Sequence, residues 1–237
     1  MIDTSFDVYS DTPVGKDPDR WSPTLQGFHA RLWSKPLPDG HYFSLSSKTN
    51  GAYLHHKSDR GEFILSSDSI GHTYKYSKPV ADVIAQVPEH EIDEFFALAS
   101  TIGAYIVFPA RTVNRKPTIN GARGLHPKIG DRFDLTLECI RLHYAGLESP
   151  LREVLGRYSA FFDLFGDFWG YVDFFLLQDL IEEGTGKIEF FLPHSDFSVR
   201  PYPADLEAYR TYSKAVSAFI CARNKRIAKF GQTQLGV

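Results

Sequence analysis

Lys128-Ile129-Gly130-Asp131-Arg132-Phe133-Asp134-Leu135-Thr136-Leu137-Glu138-Cys139-Ile140-Arg141-Leu142-His143-Tyr144 decides the fold. At about 100° per residue, Ile129, Phe133, Leu137, Ile140 and Tyr144 share one broad face, and Leu135 and Leu142 lie close together on another. The spacing predicts a helix over 128–144 that is covered on two sides and is therefore central. Between the apolar faces, Asp131, Asp134, Glu138 and Arg141 recur at three- and four-residue steps and stack along one edge. The other polar edge holds Arg132 and His143 with Cys139 between them. Carboxylates removed from water are costly unless they are paired or bound to a cation. Two arrangements answer these three: arginines such as Arg141, Arg111, Arg123 or Arg157, or a divalent cation ligated by Asp131, Asp134 and Glu138. Oxygen ligands from one helix rarely complete the shell of such an ion, and no second acidic cluster clearly supplies the rest.

The segment that feeds this helix is basic and carries no acid. It contains Arg111, Arg115 and Lys116, then Thr118-Ile119-Asn120-Gly121-Ala122-Arg123-Gly124-Leu125-His126-Pro127-Lys128. Asn120-Gly121 and Gly124 permit turns in which successive N–H groups point the same way, and Pro127 stands where a helix can start. A helix N-terminus behind such a loop suits an anion, for which phosphate is the natural guest. On this reading Arg111, Asn120, Arg123, Lys128 and Arg132 bind the ligand. His126 or His143 would move the proton if phosphate-bond hydrolysis or transfer follows. The other reading is a tight connection in which Arg123 pairs with the acids of the next helix.

Outward from this centre the pattern is α+β. Ser22-Pro23 caps and starts a short helix that ends before Pro36. Tyr42–Leu45, Ala52–Leu54 and Glu62–Leu65 read as antiparallel strands separated by Thr49-Asn50-Gly51 and Asp59-Arg60-Gly61, with Asn50-Gly51 a strong turn signal. Helices are expected over 79–85 and 88–101, and a buried strand over Ala104–Phe108. Beyond the central helix, further helices are expected over 150–165 capped by Ser149, over 168–182 capped by Asp167, and over 203–229, with a strand at Lys187–Leu192. One domain over residues 1–237 follows, sheet-rich over about 40–110 and mainly helical over about 128–230.

The chain has 237 residues, with 26 Lys and Arg against 29 Asp and Glu, for a net charge of −3. That balance argues against broad coating of DNA, which needs a basic surface. No run approaches the roughly 20 apolar residues of a membrane span, so no membrane partner is expected. Cys139 and Cys221 are too few for a disulfide framework, and a reducing cytoplasm is the expected location. The phosphate-loop, dinucleotide and zinc-protease patterns fail, as do the Gly-x-Ser-x-Gly elbow and a closely spaced cysteine pair. With 19 Phe, 12 Tyr and 3 Trp the chain is rich in aromatics, densest from Tyr158 to Phe175. That run is too dense to be all surface, and reads as core with an edge free for a pocket or partner.

Leu32-Trp33-Ser34-Lys35-Pro36-Leu37-Pro38, Leu65-Ser66-Ser67-Asp68-Ser69-Ile70, Thr118–Gly124, Asp131–Arg141 and Tyr171–Leu180 resemble strings of an uncharacterised bacterial family known only as a domain of unknown function. The resemblance runs from about Asp3 to Asn224 and implies one family-length domain, but no activity. Two functions are expected, the first as the preferred reading and the second as its alternative. One is a protein that binds a phosphate-bearing small molecule or nucleic acid at the 111–128 segment. The other is a non-enzymatic protein-partner module that uses its aromatic-rich helical part, with the Arg/Asp network as scaffold.

Overall fold

The computed structural model describes residues 2–46 and 54–233. Two helices open the chain, α1 (Pro18–Trp21) and α2 (Pro23–Trp33). Ser22 Oγ accepts from Leu25 N, and Pro23 holds the first helical position, as the Ser-Pro pair predicts. A two-stranded ladder of β1 (Lys35–Pro36) and β2 (Tyr42–Phe43) precedes the main sheet of β3 (Leu54–Ser58) and β4 (Gly61–Ser69). The expected Asn50-Gly51 turn lies outside the described residues, whereas Asp59-Arg60 does join β3 to β4. A 3-10 turn and α3 (Ala81–Ile84) lead to α4 (Glu89–Ala99), then to β5 (Tyr105–Pro109). β5 pairs antiparallel with β4, so β4 is the middle strand of three and pairs Ser67 with Val107. All five residues of β5 are buried, which explains its unbroken apolar run.

The next stretch departs from the sequence reading. Residues 119–125 are not a loop but a short helix, α5 (Ile119–Leu125), with Thr118 Oγ1 accepting from Gly121 N. The central helix, α6 (Phe133–Tyr144), starts five residues later than its apolar pattern predicts. Gly130 and Asp131 take positive φ values of 56° and 61°, which a right-handed helix cannot contain. Asp131 is therefore outside the helix, and its stacking with Asp134 and Glu138 does not occur.

α7 (Arg152–Gly156), α8 (Ser159–Phe162) and a 3-10 turn over Asp163–Phe165 replace the single helix expected over 150–165, and Ser149 is not its cap. α9 (Phe168–Phe174) is capped by Asp167 as expected, but stops where Leu176 turns left-handed at φ 56°. The strand expected at Lys187–Leu192 is reduced to one bridge, Ile181 to Ile188. Finally α10 (Leu206–Thr233) spans the molecule, with Asp205 Oδ1 accepting from Ala208 N at its start. Arg223 fastens this helix from inside. Its buried guanidinium donates to the carbonyls of Gly103, Tyr105 and Phe175.

Side chains from the helices and both sheets meet in one apolar core that takes in Phe133, Leu135, Leu137 and Ile140 of α6, whereas Leu142, on the second apolar face, is only half-buried and borders a groove. Among the described residues no helix is long and apolar enough to cross a membrane.

Candidate functional site

α5 lies against β4, and the polar side chains between them are the ones that the sequence reading singled out. Asn120 Nδ2 reaches Ser66 Oγ and Ser67 O at 3.4 and 3.3 Å. One turn later Arg123 is fully buried. Its guanidinium donates to Asp68 Oδ2 at 2.7 Å, Ser69 O at 3.2 Å, the Asp131 carbonyl at 3.0 Å and Thr136 Oγ1 at 3.3 Å. Four of its five N–H donors are thereby committed. The Asp131 carboxylate stands 3.5 Å from the same guanidinium and 3.7 Å from His72 Nε2 on its outer side. Burial raises the Asp68 carboxyl above its ordinary range, with Asp131 adding to the effect and Arg123 opposing it.

Arg132 is equally committed. It forms a two-pronged pair with Asp134 and donates to the carbonyls of Pro201 and Leu192 at 3.3 and 3.1 Å. Asp134 Oδ2 also accepts from Phe191 N at 2.9 Å, and both side chains are buried. Glu138 pairs with Arg141 at 2.7 and 2.8 Å. The three acids expected to share a cation thus face three different arginines. The left-handed Gly130-Asp131 turn carries the first of these acids off the helix. Among the described residues no group of three or more His, Cys, Asp or Glu side chains is placed to hold a metal ion.

The remaining expected residues do not converge with these. Lys128 and Arg111 are exposed. His126 follows α5 and accepts from Lys128 N at 3.2 Å. His143 lies at the far end of α6, its ring 5.2 Å from that of Phe162. Burial lowers both imidazoles, aided by Lys128 at His126 and opposed by Asp163 at His143.

An open concavity lies elsewhere, in a region where the sequence predicts only a helix over 168–182 and a strand at Lys187–Leu192. After α9 the chain makes a short 3-10 turn at Gln178–Leu180, then a hairpin closed by Glu182 N to Lys187 O and Glu189 N to Leu180 O, each 2.8 Å. Gly184 and Gly186 take the positive φ values of 82° and 70° that the hairpin needs, and the Trp169 ring packs where a side chain on Gly186 would stand. Between this hairpin, the end of α9 and the outer face of α10 lies a groove of about 1080 Å³. Its floor is apolar, with Leu180, Phe191 and Phe219, and alanines 215, 218 and 222 leave room above α10. Its walls carry Asp173, Asp179, Glu182, Glu183 and Glu189, against one cation, Arg226. Arg226 is held by Asp179 in a two-pronged pair at 2.9 and 2.8 Å. Trp169 stands at the lip, half exposed. A second groove of about 820 Å³ runs along the other side of the hairpin and includes Glu138 and Arg141. The signal in the sequence was the density of acids from Asp173 to Glu189. The alanines that complete the groove lie on a helix about thirty residues further along.

The family described as Family of unknown function (DUF6994) matches residues 2–227, almost the whole chain, and the protein belongs to it. Comparison with curated proteins and with solved structures gave no match.

Proposed function

Taking membership of that family as the premise, we propose that the chain is a non-enzymatic partner-binding module whose contact surface is the groove between α9, the 181–188 hairpin and α10. The observation that carries this reading is where the cations are. Arg123 and Arg132, the centre of the phosphate expectation, are buried and spent on internal oxygens. The structure's large apolar-floored concavity, by contrast, lies open beside an exposed tryptophan. Concave sites with an apolar floor and a few polar groups are the usual places for recognition. A phosphate-bearing ligand would have to be held by Arg111, Asn120 and Lys128 without the two buried guanidiniums.

A photo-crosslinking amino acid placed at Ala218, with one at exposed Leu125 as control, tests this in cells expressing the protein. Adducts with another polypeptide from position 218 alone are expected. No adduct from 218, together with thermal stabilisation by nucleotides that Arg111→Ala/Lys128→Ala removes, would transfer the function to the basic segment.

A further inference from the structure

We propose that the groove's occupant is a basic segment of a partner polypeptide, one that presents lysine or arginine to the rim and apolar side chains to the floor. This rests on the partner-module reading and goes further by fixing the chemistry of the partner. Five carboxylates face one guanidinium across walls of low dielectric, which concentrates a negative potential in the cleft. An anionic ligand is repelled there. A purely apolar one would strip water from the carboxylates without replacing its hydrogen bonds. A cationic, amphipathic segment satisfies both parts. Trp169, half exposed at the lip, puts an aromatic ring within the groove lining, where a lysine or arginine head group gains from one. Arg226 already shows how such a head group is received, since its fork grips Asp179 from within the groove. The protein's own guanidinium thus competes with the visitor for the same carboxylate.

The test titrates the full-length chain with three fluorescein-labelled pools of short random peptides. All contain leucine and phenylalanine, mixed with lysine in the first pool, glutamate in the second and serine in the third. Binding is read by anisotropy. Only the lysine pool is expected to bind. Glu182→Lys/Glu183→Lys, at exposed positions, should weaken it by about tenfold or more. Glu89→Lys/Asp93→Lys makes the same change in net charge outside the groove lining and should leave binding nearly unchanged. Arg226→Gln should tighten it by removing the competitor. Equal loss in both charge-reversal variants, or weaker binding in Arg226→Gln, overturns the basic occupant. Binding of the serine or glutamate pool that Ala218→Arg blocks keeps the groove as contact surface and overturns its assignment to a basic segment. No binding by any pool removes both. Self-association of the unliganded chain that Glu182→Lys/Glu183→Lys abolishes would make the occupant a second copy instead.

Discussion

Asp19, in α1, is buried with both carboxylate oxygens accepting from Ser67, through its N–H at 2.7 Å and its hydroxyl. Burial, with Asp17 and Asp68 nearby, raises its pKa from 3.8 to about 7 against the Ser67 bonds. The folded state therefore binds the proton more tightly than the unfolded chain. This group's contribution to stability falls as pH rises from about 4 to about 7, then levels off. Buried His29 works the other way, because burial and Arg223 lower it from 6.5 to about 3. Its contribution is complete above 6.5 and is lost as pH falls toward 3. Asp19→Asn should raise the melting temperature at pH 8 and leave the His29 slope standing alone, so that stability climbs with pH between about 4 and 6.5. Identical pH profiles for variant and parent would show that Asp19 titrates normally. Arg132 and Asp134 are a buried, two-pronged pair with four of the five guanidinium N–H donors committed, and breaking such a pair costs about 3–5 kcal/mol. Asp134→Ala strands the guanidinium and the Phe191 N–H together, and urea unfolding should show a loss of that size. A loss below about 1 kcal/mol, the scale of a surface pair, would contradict the buried geometry.

Elements with local punctuation were legible. Ser22-Pro23 and Asp167 mark helix starts in the sequence and cap helices in the structure. The apolar stripe of α6 was visible too, but its first turn was not, because periodicity cannot see a left-handed pair. Gly130 is enclosed as well as left-handed. A Cβ there would stand 2.9 Å from Pro201 Cγ and from Tyr202 Cε1, and Tyr74 Oη donates to its carbonyl at 2.8 Å. Gly130→Ala should cost roughly 1–3 kcal/mol in chemical denaturation, the usual scale for strain at a special backbone position. An unchanged midpoint would mean that the turn before α6 can relax. The aromatic run over 158–175 is core, as its density predicts, with half-exposed Trp169 left at the edge. Phe165 lies 5.2, 4.9 and 5.1 Å from Phe161, Phe174 and Phe175, across the break between α8 and α9.

At the scale of the whole molecule, a net charge of −3 describes the surface poorly. The buried arginines 123, 132 and 223 add nothing to its outside, while five carboxylates gather around one groove. Composition carried only the absence of a membrane span and of a disulfide framework, and the order of expected helices and strands carried the α+β class. The groove was not legible, because it is made where the acid-rich 173–189 stretch meets alanines on α10 after the chain has crossed the molecule. The basic segment was conspicuous in sequence for the opposite reason. Its cations are close together along the chain, yet Arg123 folds inward to answer Asp68 and Asp131. The most direct measurement is amide chemical-shift mapping of the labelled protein titrated with the lysine-containing peptide pool and, separately, with inorganic phosphate. Saturable shifts confined to residues 173–189 and 215–226 with the peptide, and none with phosphate, are the expected result. Shifts centred on residues 111–128 with phosphate, and none in the groove with peptide, would contradict it.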